Sequence, residues 1–136
     1  MDELIYSDLV SATAGIGKKA FLGRRPKTLT EELSNFIVIE LPTEIVGRIA
    51  GNIDVMQEGY GMISVFSKAK KDGTLNVHAH STLVQQVTDL FKPSLRGKYI
   101  TARKPRRIGQ GEDGYGYQYS EISFFFTTKL NAQNIV

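Results

Sequence analysis

Two glycine patterns, two histidines and a run of arginines beside tyrosines are the residues of this 136-residue chain whose types and spacing could do chemistry. Gly109-Gln-Gly-Glu-Asp-Gly114 has the G-x-G-x-x-G spacing of a dinucleotide-binding turn. That turn works where a strand leads into a helix whose N-terminus meets the pyrophosphate. A β-forming run follows here instead, and Glu112 and Asp113 would repel phosphate, so no cofactor is expected. Gly15-Ile-Gly-Lys18 has the end of a phosphate-binding loop, but Ala12 stands where the first glycine should be. Lys19 takes the place of the Ser or Thr that would hold magnesium, and a helical pattern precedes it where a strand is required. His78 and His80, two apart near a helix start, point in different directions and predict a solvated helix end rather than a metal site. The adjacent acids Glu31-Glu32 and Glu112-Asp113 are not opposed carboxylates in contrasting environments. With no cysteine and no serine marked by a base, the expectation is a protein that is not an enzyme, with no catalytic, cofactor or metal residues.

The positive charge is modest in sum, 17 Lys and Arg against 14 Asp and Glu, so its clustering says more than its total. Lys18 and Lys19, then Arg24, Arg25 and Lys27, then Lys68, Lys70 and Lys71, then Arg103, Lys104, Arg106 and Arg107 fall in segments that read as loops or strand ends. Such placement suits phosphate or an acidic protein surface. Tyr115, Tyr117 and Tyr119 follow the last cluster, and bases stack on aromatic rings while arginines neutralise phosphate. A small basic nucleic-acid-binding protein is therefore the alternative reading of this chain.

The elements that would position these residues follow from periodicity. Leu4, Ile5, Leu9 and Val10 predict a short N-terminal amphipathic helix ended by Gly15 and Gly17. Residues 14–30 read as an extended basic loop. Phe36 to Leu41 is a β-forming run stopped by Pro42, Ile45 to Met56 alternates more weakly, and Tyr60 to Phe66 is a further strand before the Asp72-Gly73 turn. Asn76 caps a second helix with Leu83, Val84, Val87, Leu90 and Phe91 inward, stopped by Lys92-Pro93. Arg103 to Phe126 reads as a long hairpin with a glycine-rich tip. Its second strand changes phase: Tyr115, Tyr117 and Tyr119 share one face, while Ile122, Phe124 and Phe126 share the other. Either half the strand projects as an arm, or a bulge near Ser120 brings both sets to one face. Strands in runs predict α+β: an antiparallel or mixed sheet with the N-terminal helix and one amphipathic helix packed on it, and a long C-terminal hairpin. One domain spans 1–136, with a flexible tail at 131–136. The acidic start and the lack of any long apolar run predict a soluble, non-secreted protein without a membrane partner.

This order of elements resembles the tail terminator or tail-completion proteins of tailed bacteriophages. The resemblance covers about Glu3 to Lys129 and rests on Phe36 to Leu41, on Tyr60 to Lys71 with Asp72-Gly-Thr-Leu-Asn76 and the helix to Phe91, and on Tyr115 to Phe124. It is a pattern of strands and turns without a catalytic signature. It implies a structural virion protein, assembled in the host cytoplasm, that forms a homo-oligomeric ring, commonly of six subunits. The ring would cap the tail tube and join it to the neck or connector proteins through which genomic DNA passes. Lys18, Lys19, Arg24, Arg25, Lys27, Arg103, Lys104, Arg106, Arg107, Tyr115, Tyr117 and Tyr119 are the candidate assembly or DNA-facing residues. The basic insertion from Gly15 to Lys27 departs from the family pattern.

Overall fold

Among the described residues two helices form, each where the apolar spacing is 3.6, and the second has a capped N-terminus. In α1 (Asp2–Ala12), Ile5 and Leu9 are fully buried one turn apart, whereas Val10 stands 40% exposed and faces away from the core. Gly15 and Gly17 adopt φ of +86° and +72°, a region that costs other residues about 1–2 kcal/mol, and turn the chain off the helix. In α2 (Val77–Asp89), the Asn76 side chain accepts the Ala79 N–H at 3.3 Å, and His80, Leu83 and Val87 line the buried stripe. The computed structural model describes residues 2–27, 29, 32–41, 46–50 and 53–128; the tail expected at 131–136 lies outside them.

Among the described residues, seven strands form one mixed sheet: β1 (Ala20–Leu22), β2 (Asn35–Glu40), β3 (Val46–Ala50), β4 (Ile53–Lys68), β5 (Leu95–Arg96), β6 (Ile100–Glu112) and β7 (Tyr117–Thr128). Their order is β1-β2-β4-β7-β6-β5, and β3 pairs with the first part of β4. The β1–β2 pair is parallel and the others are antiparallel. The fold is α+β, as the runs of strands predict. Two strands were not visible in the sequence: β1 lies inside the basic stretch 14–30, and β5 is two residues long.

The β7 phase change has a third explanation. Pairing of β4 with β7 runs without a slip from Glu58↔Thr127 to Lys68↔Tyr117, so there is no bulge near Ser120. The tyrosine half does not project either, because both faces of the sheet are covered there. Ile122, Phe124 and Phe126 face the helices in a core with Ile5, Leu9, Ile37, Ile63, Leu83, Val87 and Phe91. Tyr117 and Tyr119 face the opposite way, into a second core of Leu33, Phe36, Val38 and Phe66 with Phe21 and Leu29 packed on it. Phe36 stacks on Phe66 at 4.7 Å between ring centres and meets Tyr117 edge-on at 5.1 Å. The segment read as an extended basic loop thus supplies, through Phe21 and Leu29, part of the cover of the second core.

Past that cover the outer face of the sheet is open, and the start of β4 extends beyond its pairing with β2 and β7. From Ile53 to Met56, β4 has only β3 as a strand partner among the described residues, so the two form an arm.

Candidate functional site

The structure divides the candidate residues among three places. At the hairpin tip, Arg25 is half-buried: its Nε donates to Asp113 Oδ2 at 2.7 Å, and its guanidinium lies 4.7 Å from the Tyr115 ring centre and 5.6 Å from that of Tyr117. Asp113 Oδ1 accepts the N–H groups of Tyr115 and Tyr117 at 2.7 and 3.1 Å, and the Tyr117 hydroxyl donates to the Leu33 carbonyl at 2.6 Å. Arg25, Tyr117 and half-buried Tyr119 are consumed by the second core, which explains their spacing without a ligand. Tyr115 remains 65% exposed. Lys18, Lys19, Arg24 and Lys27 are exposed nearby, with the Lys19 ammonium 5.4 Å over the Phe21 ring.

On the helix face, His80 is not the solvated residue that its position near a helix start suggested. It is 3% exposed, with Nδ1 2.8 Å from Ser67 Oγ on β4 and Nε2 2.8 Å from Ser120 Oγ on β7. Arg107 Nη2 donates to Ser120 Oγ at 2.7 Å and to Gln110 Oε1 at 2.8 Å. The proton arrangement that fits this chain runs from Arg107 to Ser120 Oγ, from the Ser120 hydroxyl to His80 Nε2, and from His80 Nδ1–H to Ser67 Oγ. Burial, and then the Arg107 charge, hold the His80 pKa below its usual value and keep the ring neutral. A serine beside a neutral imidazole is the outline of a nucleophile and its base. Ser120 is completely buried, however, and Ser67 cannot support an imidazolium as a carboxylate would. The network reads as a polar pin fastening α2 to the middle of the sheet, beside a depression of ≈ 360 Å³ that also touches Gln110, Glu112 and Gln118.

The third place is the open part of the outer face, where Arg103, Lys104 and Arg106 gather. Tyr60, Phe125 and Arg103 form one row across β4, β7 and β6 through the pairs Tyr60↔Phe125 and Arg103↔Phe125. The two rings meet at 5.6 Å between centres and 65° between planes, and the Arg103 guanidinium lies 5.6 Å from the Phe125 ring centre. The next row holds Met62, Ser123 and Arg106. Glu58, Tyr60, Arg103, Lys104, Arg106, Ser123, Phe125 and Thr127 line a groove of ≈ 660 Å³. Arg106 reaches this face only because β6 slips by one residue between Arg103 and Arg106, at Lys104, whose φ is +58°. In a regular strand, residues three apart point to opposite faces. On the far side of Arg106 the face turns acidic: Glu40 is held above its usual pKa by burial and by Glu121.

The aromatic partners of this basic run are therefore Tyr60 and Phe125, not Tyr115, Tyr117 and Tyr119. Phe125 is odd-numbered between the buried even residues Phe124 and Phe126, which was the local signal for it. Tyr60 joins it by long-range pairing that no window of sequence displays. Among the described residues no group of three or more His, Cys, Asp or Glu is placed to hold a metal ion, and no helix is long and apolar enough to cross a membrane.

Neither protein-family models nor curated proteins match this chain. Solved structures do share its fold: one superposes with a TM-score of 0.61 over 96% of this chain and 97% of its own length, at 11% sequence identity. That likeness concerns the path of the backbone.

Proposed function

We propose that this protein is a structural assembly component of a phage tail or neck, forming a ring at the tail/neck junction through non-catalytic contacts. The observation that supports it most is the β3/β4 arm. At about 3.3 Å per residue, the 16 residues of β4 span about 50 Å. Residues 53–56, about 13 Å of that length, have only β3 as a strand partner among the described residues, and a two-stranded ribbon alone is marginally stable in water. A neighbouring subunit or tail protein under the arm would supply the missing surface. Such a ring would sit in the virion, with its own copies, the tail tube and the neck proteins as partners and passing genomic DNA in its lumen.

The test is a chain in which residues 48–56 are replaced by Asn-Gly, a two-residue hairpin turn between the paired Gly47 and Gln57. The shortened protein is expected to melt as the parent does but to drop out of assembled tails, leaving tubes of uncontrolled length. Normal incorporation of the shortened chain, or particle images with no ring-shaped layer of this protein, would overturn the reading.

A further inference from the structure

We propose that the open half of the outer sheet face, centred on Tyr60, Phe125, Arg103 and Arg106, is a binding surface for single-stranded nucleic acid. This stands independently of ring assembly. Tyr60 is 60% exposed, although its strand is paired with β7 at this point, where an aromatic ring normally finds cover. It is joined edge-on to Phe125, so the two rings make a continuous apolar shelf beside exposed Arg103, Lys104 and Arg106. Bases stack on such shelves whatever their identity, while flanking cations neutralise the backbone phosphates.

The backbone distortion points the same way. Lys104 occupies the left-handed region, which is unfavourable for a residue with a Cβ, and Pro105 follows it. The outcome of that distortion is two arginines on one face where regular geometry would place one. Strain that re-aims a side chain onto an exposed site is a mark of a built surface. The acids Glu40 and Glu121 lie beyond Arg106, and Glu58 lines the groove at the Tyr60 end. A strand would therefore follow the row from Arg103 and Lys104 across Phe125 to Tyr60, not spread over the whole face. An acidic protein segment would satisfy the cations but would leave the exposed ring pair without a partner, so the single strand is favoured.

The experiment titrates the full chain into a labelled oligothymidylate of about 12 nucleotides, within the usual site size. The same titration uses a duplex of that length and polyglutamate. Oligothymidylate is expected to bind best, with an affinity that falls between roughly 50 and 200 mM salt by about 0.7 log units per log unit for each phosphate contacted. Tyr60→Ala is expected to weaken binding by roughly five- to hundredfold, and Tyr60→Phe to restore it, since stacking needs the ring and not the hydroxyl. Arg103→Gln with Arg106→Gln is expected to lower the salt slope by about 1.4. Tyr60 is exposed, so equal melting of its variants separates lost binding from lost fold. No binding of oligothymidylate at low salt, Tyr60→Ala binding as the parent does, or polyglutamate binding more tightly would each overturn the proposal. So would a self-association that Tyr60→Ala abolishes while oligonucleotide binding is unchanged.

Discussion

Gly61 lies directly against Phe124: the two are paired across β4 and β7, and a Cβ at position 61 would come within 2.4 Å of the phenyl ring. Phe124 has nowhere to retreat, being fully buried and stacked on Phe91 at 4.9 Å. Gly61→Ala is therefore expected to destabilise the protein by about 1–3 kcal/mol, the usual cost of overpacking. Chemical denaturation would check this. Adding Phe124→Leu should recover part of the loss, and a Gly61→Ala variant as stable as the parent would show that the ring has room.

Stability is expected to fall in mild acid because of His80. Its folded pKa lies below the ordinary value of 6.5, so the unfolded chain takes up the proton first. The contribution is present above about pH 6.5 and is lost as pH drops below it toward the folded value. Urea midpoints between pH 8 and pH 5 would show the decline. His80→Gln should flatten that part of the profile while lowering stability at pH 8, since the pin between Ser67 and Ser120 is broken.

The hairpin tip and the basic segment are expected to loosen together. Asp113→Ala removes the Arg25 ion pair and the acceptor for two backbone N–H groups, at a cost of about 1–3 kcal/mol. Trypsin should then cut faster after Arg24 and Lys27, which flank the pinned residue. Unchanged cleavage would mean that the packing of Phe21 and Leu29 holds the segment without the pin.

Asp8 is the buried clasp between α1 and the β5–β6 turn. Its carboxylate accepts the N–H groups of Lys98, Tyr99 and Ile100 at 3.1, 2.6 and 2.9 Å. Hydrogen bonds to a charged acceptor contribute about 1.5–3 kcal/mol each, so Asp8→Asn should cost at least about 2 kcal/mol despite its equal size. Gly97→Ala is expected to do similar damage, because its Cβ would come within 2.3 Å of the same carboxylate. Thermal melting of both variants would check the pair.

The parts of the fold that could be read from sequence are those set by neighbours in the chain. Asn76 and the spacing of Leu83, Val87 and Phe91 specify α2, and Asp72-Gly73 makes its turn with Thr74 held by the Asp72 carboxylate at 3.0 Å. Val84, read as inward, is only half-buried, at the edge of the apolar stripe. What escaped was set by distant partners. Tyr117 and Tyr119 looked like the face of a projecting arm because Phe21, Leu29 and Leu33, which cover them, lie more than 80 residues earlier. Arg107 looked like one more surface cation until strand pairing turned it toward Ser120 and His80. The site on the outer face stayed hidden for the same reason: Tyr60 and Phe125 are 65 positions apart, and the slip at Lys104 shows only in the register.

The place of β7 in the sheet bears on how the chain reaches its native state. β7 is the last described strand in chain order, yet it alone joins β1, β2, β3 and β4 to β5 and β6. It also sends alternate side chains into the two cores, which therefore share one spine. Until residues 117–128 have left the ribosome, the earlier strands are two unconnected leaves with apolar surfaces uncovered on both sides. Neither leaf can mature alone, so folding is coupled to completion of this strand and dominated by long loop closures, a slow topology. In the reverse direction, detaching β7 opens both cores at once, and the domain should come apart in a single cooperative transition.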